Sequence, residues 1–149
     1  ATKNEKIRSI AANTLAQHHL RICQQNFYGT FKVTGAALNC GCCQKCVRTA
    51  LVLQQEGTLD AFESFANKRN LDCYLYDTPR VNPVFIKAYE EIRRRGVDRR
   101  TMLAIDALVR RSKILNRLEW AGRRGRKSAF KIIRLLDAME RKLFLSRFR

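Results

Sequence analysis

Asn39-Cys40-Gly41-Cys42-Cys43-Gln44-Lys45-Cys46-Val47-Arg48-Thr49 places four of the chain's six cysteines within seven positions. A secreted disulfide framework spreads its cysteines so that each bridge closes a loop, and the chain's N-terminus does not read as a secretion signal, because Lys3, Glu5, Lys6 and Arg8 interrupt it. A reducing, cytoplasmic compartment and a metal site fit the spacing better. In Cys40-x2-Cys43-x2-Cys46, two-residue spacers let a tight turn aim successive sulfurs at one point, and Gly41 relieves crowding in the first turn. The third sulfur falls at the predicted start of a helix, where unpaired backbone N–H groups stabilise thiolate charge.

A soft, redox-inert Zn²⁺ takes about four thiolate or imidazole ligands in a tetrahedron, so one more donor is needed. Cys23 is the preferred fourth ligand, because it ends a predicted extended segment, Leu20–Cys23, that can fold back beside the knuckle. His18 and His19 are the alternatives. An iron–sulfur cluster also uses C-x2-C-x2-C, but the ferredoxin pattern continues with a fourth Cys three residues on, then Pro. Here Val47, Arg48 and Thr49 are followed by Ala50. In the zinc reading Cys42 points away and Cys73 is an ordinary buried thiol. Four protein ligands close the site, and closed zinc sites are structural.

Outward from the knuckle, the chain reads as helical. Thr2-Lys3-Asn4-Glu5 has the form of a capping box, and Ile7, Ile10, Ala11 and Leu15 follow at helical spacing, predicting a helix over 3–17. A second extended stretch is expected at Thr30–Val33. A helix is expected from Cys46 to Gly57, a C′ glycine, and another from Thr58 to about 67–70 with Phe62 and Phe65 inward. Both prolines lie in Asp77–Pro83, which marks a boundary between a cysteine-bearing domain, 1–77, and a basic helical region, 78–149. Asn82 and Pro83 open a helix that stops at Gly96, Asp98 caps another over about 99–121, bent near Ser112, and Ser128 opens a last one with Ala129, Ile132, Leu136, Met139 and Leu143 on one stripe. The fold class expected is mainly α: a zinc knuckle with short extended segments leading into a helical layer, then a basic helical C-terminal half.

The 149 residues carry 30 Lys and Arg against 13 Asp and Glu, a net charge of +17. Residues 1–78 hold nine basic and six acidic side chains, and residues 79–149 the remaining twenty-one and seven, so the excess lies almost wholly beyond the boundary. Arg93–Arg95, Arg99-Arg100, Arg110-Arg111, Arg123-Arg124 and Arg126-Lys127 suit bidentate contacts to phosphate, and a nucleic acid or other polyanion is one expected partner. The competing reading is a solvated face over an apolar helical layer. Aromatics are sparse there, and Trp120 reads as core rather than as a stacking platform. No uncharged apolar run approaches the roughly 18 residues of a membrane span. His18-His19 lacks the neighbours of a triad, and Glu90-Glu91 and Asp60/Glu63 read as solvated helix faces rather than acid–base pairs.

The knuckle resembles the zinc-binding C-terminal region of 7-cyano-7-deazaguanine synthases and related PP-loop ATP pyrophosphatases, in which an upstream Cys joins a C-G-x-C-x-x-C turn running into a helix. It is more similar still to bacterial relatives reading N-C-G-x-C-x-K-C-x-R-T before an apolar helix, and Leu20-Arg21-Ile22-Cys23 matches their preceding cysteine. The likeness covers about residues 3–65. It implies that Cys23, Cys40, Cys43 and Cys46 hold zinc, with Lys45 and Arg48 the basic residues beside it, facing an anionic substrate or nucleotide. Cys42 and the longer spacer between Cys23 and Cys40 depart from the pattern. So does the lack of the S-G-G-x-D-S loop that binds ATP phosphates in these enzymes. The resemblance therefore implies a C-terminal piece of an ATP-dependent enzyme whose nucleotide-binding domain lies upstream or on another chain. The rival expectation is a non-enzymatic zinc module with a basic helical arm that binds RNA or DNA.

Overall fold

The computed structural model describes residues 1–23, 37–69 and 71–120 and, beyond these, Leu135. The expected extended stretch at Thr30–Val33 and the helix opened by Ser128 lie outside the described residues. Within them the fold is mainly α, as the sequence led one to expect, with helices α1 (Lys3–Ser9), α2 (Thr14–His19), α3 (Gln44–Gln55), α4 (Leu71–Asp77), α5 (Pro83–Arg95) and α6 (Arg99–Trp120).

The capping box forms: Glu5 N donates to Thr2 Oγ1 and Thr2 N donates to Glu5 Oε2. The single helix expected over 3–17 is instead two. Asn13 accepts from Ala16 N and starts α2 afresh, the competition for backbone donors that makes Asn a capping residue rather than an interior one. Leu15, placed on the inward stripe by its spacing, is consequently 70% exposed.

Helix α3 is the centre of the molecule. All eight residues from Cys46 to Leu53 are buried, as expected of a helix surrounded on every side. It ends as the glycine suggested: Gly57 has φ +69°, Gly57 N donates to Gln54 O and Thr58 N to Leu53 O, the Schellman arrangement. The helix expected from Thr58 is only a 3₁₀ turn, Leu59–Ala61, and the Thr58 side chain makes no cap. Phe62 and Phe65 are buried as expected, edge to face at 6.4 Å. What displaces the helix is pairing: Ser64 O accepts from Leu38 N and Asn39 N, and Ala66 N donates to Asn39 O. Phe65 thus forms a parallel bridge with Asn39 that pins this turn against the knuckle.

Helix α4, for which the sequence raised no separate expectation, packs against both α3 and α6. Its last carbonyls are satisfied from a distance: Arg111, only 4% exposed, donates through one terminal nitrogen to Leu75 O, Tyr76 O and Thr78 O at 3.0–3.1 Å. A guanidinium at a helix C-terminus also opposes the negative end of the helix dipole. Arg111→Met strips these carbonyls of that partner and should cost roughly 2–3 kcal/mol. A urea midpoint within error of the parent would contradict it.

Helix α5 begins with Asn82 as N-cap and Pro83 in its first turn and stops at Gly96, φ +97°; Asp98 accepts from Thr101 N to open α6. Helix α6 runs without interruption through Ser112. Gln55, at the end of α3, donates to Ile92 O and Gly96 O and so closes α5. The connection before α5 is clamped as well: Gln44 Nε2 donates to Arg80 O, Val81 N to Ser112 Oγ, and Asn116 Nδ2 to Val81 O. One cluster of buried side chains, from Ile7 to Leu108, runs across it. Several cations of α5 and α6 are partnered within the fold, Arg93 by Asp106, Arg100 by Asp72 and Lys113 by Glu90. No described helix is long and apolar enough to cross a membrane.

Candidate metal centre

The Sγ atoms of Cys23, Cys40, Cys43 and Cys46 all lie within 4.8 Å of one another. Cys23, Cys40 and Cys46 are buried and Cys43 is half-buried at the start of α3. Cys23 Sγ lies 3.4 Å from Cys40 Sγ, and Cys40 Sγ lies 3.8 Å from Cys46 Sγ. A tetrahedron with metal–sulfur bonds of about 2.3 Å has sulfur–sulfur edges of about 3.8 Å, close to these two separations. Four thiols this close can hold a metal ion.

The turn that gathers them depends on Gly41. Its φ is +72°, and a Cβ there would fall 2.3 Å from Asn67 O. Asn67 in turn donates through Nδ2 to Cys40 O, fixing the loop at both ends. A Gly41→Ala chain combines a left-handed backbone with a backbone clash. Its metal affinity should drop by at least about tenfold, readable by chelator competition; unchanged affinity would mean the turn is not under this constraint.

Asn39 places the fourth sulfur. Its side chain is fully buried, and its Oδ1 accepts from Ile22 N at 2.9 Å and Cys23 N at 3.2 Å. Its Nδ2 donates to Leu20 O at 2.7 Å and Ser64 O at 3.2 Å. Among the described residues Leu20–Cys23 forms no strand; Leu20 O, Ile22 N and Cys23 N bond the Asn39 amide. Asn39 stands as the first residue of the knuckle in the sequence, with no local pattern that marks this role. Its position directly before Cys40 is the one signal the sequence offered.

Backbone donors surround the sulfurs. Cys43 N donates to Cys40 Sγ at 3.4 Å, and the N–H groups of Cys46 and Lys45 face the Cys43 sulfur. A hydrogen bond from the Cys46 thiol, reinforced by these donors, holds the Cys43 thiol well below the ordinary range. The same pairing, with burial, pushes Cys46 up, and burial pushes Cys40 up to about 12. One sulfur thus carries charge readily while its neighbours resist it. A divalent cation removes that conflict, because its charge favours the thiolate form of every ligand.

The other sequence candidates fall elsewhere. His18 pairs through Nδ1 with Glu63 at 3.1 Å on the surface, and neither His18 nor His19 belongs to the cluster. Cys42 is half-buried outside it. Cys73, expected to be buried, is exposed on α4, beside Asp72. Lys45 is half-buried in the first turn of α3. Arg48 is 8% exposed, with its guanidinium carbon 5.2 Å from the centre of the Phe85 ring. Comparison of the chain with protein-family models, curated proteins and solved structures finds no match.

Proposed function

We propose that the cysteine cluster is a structural zinc site, and that the chain is the zinc-bearing C-terminal part of an ATP-dependent enzyme of the PP-loop, 7-cyano-7-deazaguanine-synthase-like type. The single observation supporting the first statement is the closed set of four sulfurs within 4.8 Å. All four positions of a tetrahedral ion are taken by protein, so no place remains for a water or substrate, and the ion ties α3 to the N-terminal segment. The second statement rests on the knuckle's resemblance alone. In it, zinc fixes one wall of an active site completed by a nucleotide-binding domain elsewhere, with ATP bound there and Lys45 and Arg48 as the basic residues on this side.

Metal analysis of the purified full chain tests the first statement: about one equivalent of zinc is expected, and less than about half an equivalent would sink it. The second is tested by the reading frame that encodes the chain and by its neighbours, where an S-G-G-x-D-S sequence is expected. A frame without one, together with RNA affinity that falls by several log units between low and moderate salt, would favour a non-enzymatic zinc module with a basic arm instead.

A further inference from the structure

A pocket of about 360 Å³ opens between α1, α3 and α5, and none of the four clustered cysteines lines it. Its lining includes Lys3, Asn4, Arg48, Val84, Lys87 and Glu91. Arg48 sits at its base. The residue is more than nine-tenths buried, its Nε has no hydrogen-bond partner among the described residues, and no described carboxylate pairs with it. Glu91, the acid in the pocket wall, is already engaged: its Oε1 accepts from Arg8 at 2.6 Å and its Oε2 from Asn4 at 3.0 Å. Asn4 is 1% exposed, and its Oδ1 is a buried acceptor that likewise lacks a partner.

Leaving a guanidinium uncompensated at this depth is costly, since a buried charge is stabilised only by a counter-charge and matched hydrogen bonds. Phe85 covers its face but supplies no acceptor. Lys3 and Lys87, exposed at the pocket, add positive potential that draws an anion in. Pro83, Val84 and Ala88 make the opposite wall apolar, which suits an organic body and not a free, fully hydrated phosphate.

We propose that this pocket binds a small organic carboxylate, with the acid group on the Arg48 guanidinium and the apolar body against Pro83, Val84 and Ala88. A guanidinium matches a carboxylate through two parallel N–H donors, which fixes the ligand's orientation as well as its charge. The proposal rests on the buried, unpaired Arg48 and the pocket around it and not on the resemblance, although Arg48 and α1 lie within the stretch that carries it.

Sodium benzoate is the probe, with benzyl alcohol as its neutral counterpart and inorganic phosphate as the anion without an apolar body. Titrations followed by amide chemical shifts on the full chain should give benzoate a Kd of roughly millimolar order, and the two controls binding at least about tenfold weaker. Arg48→Gln should weaken benzoate by about tenfold or more. If that variant does not fold, Val84→Trp carries the test: position 84 is 63% exposed, so the core is untouched while the indole fills the pocket, and benzoate binding should be lost. Folded parent protein that ignores benzoate, equal binding of benzyl alcohol, or a Val84→Trp chain that binds as the parent does would each overturn the proposal. Zinc content measured on the same samples separates that failure from failure of the metal site.

Discussion

A Cys40→Ser chain should lose its metal and, with it, cooperative tertiary structure. Cys40 is fully buried and touches both Cys23 and Cys46, so its removal opens the tetrahedron and leaves three thiols crowded in an apolar core. Structural zinc sites contribute roughly 10–16 kcal/mol of apparent binding energy in small zinc-finger peptides at neutral pH, comparable with the whole stability of an ordinary domain. Near-UV circular dichroism and thermal melting read the effect, and Cys42→Ser and Cys73→Ser are the controls, both expected to keep the parent's metal content. A Cys40→Ser chain that melts within a few degrees of the parent would show that the cluster is not what ties α3 to the N-terminal segment.

The second large effect is expected at Asn39, which no metal touches. Asn39→Ala deletes four hydrogen bonds at once and strands Leu20 O, Ile22 N and Cys23 N in or near the core. Each orphaned buried group costs about 1–3 kcal/mol, so a loss of roughly 3–5 kcal/mol is expected after partial relaxation. The substitution also frees the backbone that presents the Cys23 sulfur. Supporting groups of this kind typically matter 10- to 100-fold in metal affinity. Chelator competition and denaturant titration on the same variant should therefore both move. A drop in stability with unchanged metal affinity would mean Cys23 finds its place without the amide.

Much of this was legible in the sequence because it is local. The capping box at Thr2, the Asn82-Pro83 start, the stop at Gly96 and the Schellman glycine Gly57 all act within a turn of where they stand, and all appear in the structure. The cysteine set was equally readable, since C-x2-C-x2-C brings three sulfurs together through one turn. What failed depends on distant partners. The helix expected after Thr58 gives way because Ser64 and Ala66 bond the backbone at residues 38–39, and the segment at 20–23 is held by the Asn39 amide, a role no spacing rule announces. The C-terminal end of helix α4 is satisfied by Arg111, thirty-three residues or more along the chain, a partner that no local signal announces. The same holds for the carboxylate pocket. Arg48 reads as one more basic residue beside the knuckle until α1 and α5 close over it, bringing the Phe85 ring but no described carboxylate.

Sulfur coordination is the claim on which the account stands, and X-ray absorption at the zinc edge measures it directly. Four sulfurs at about 2.3 Å are expected, with no nitrogen or oxygen neighbour in the first shell. A spectrum that requires imidazole or water ligands, or a metal edge belonging to iron, would contradict it.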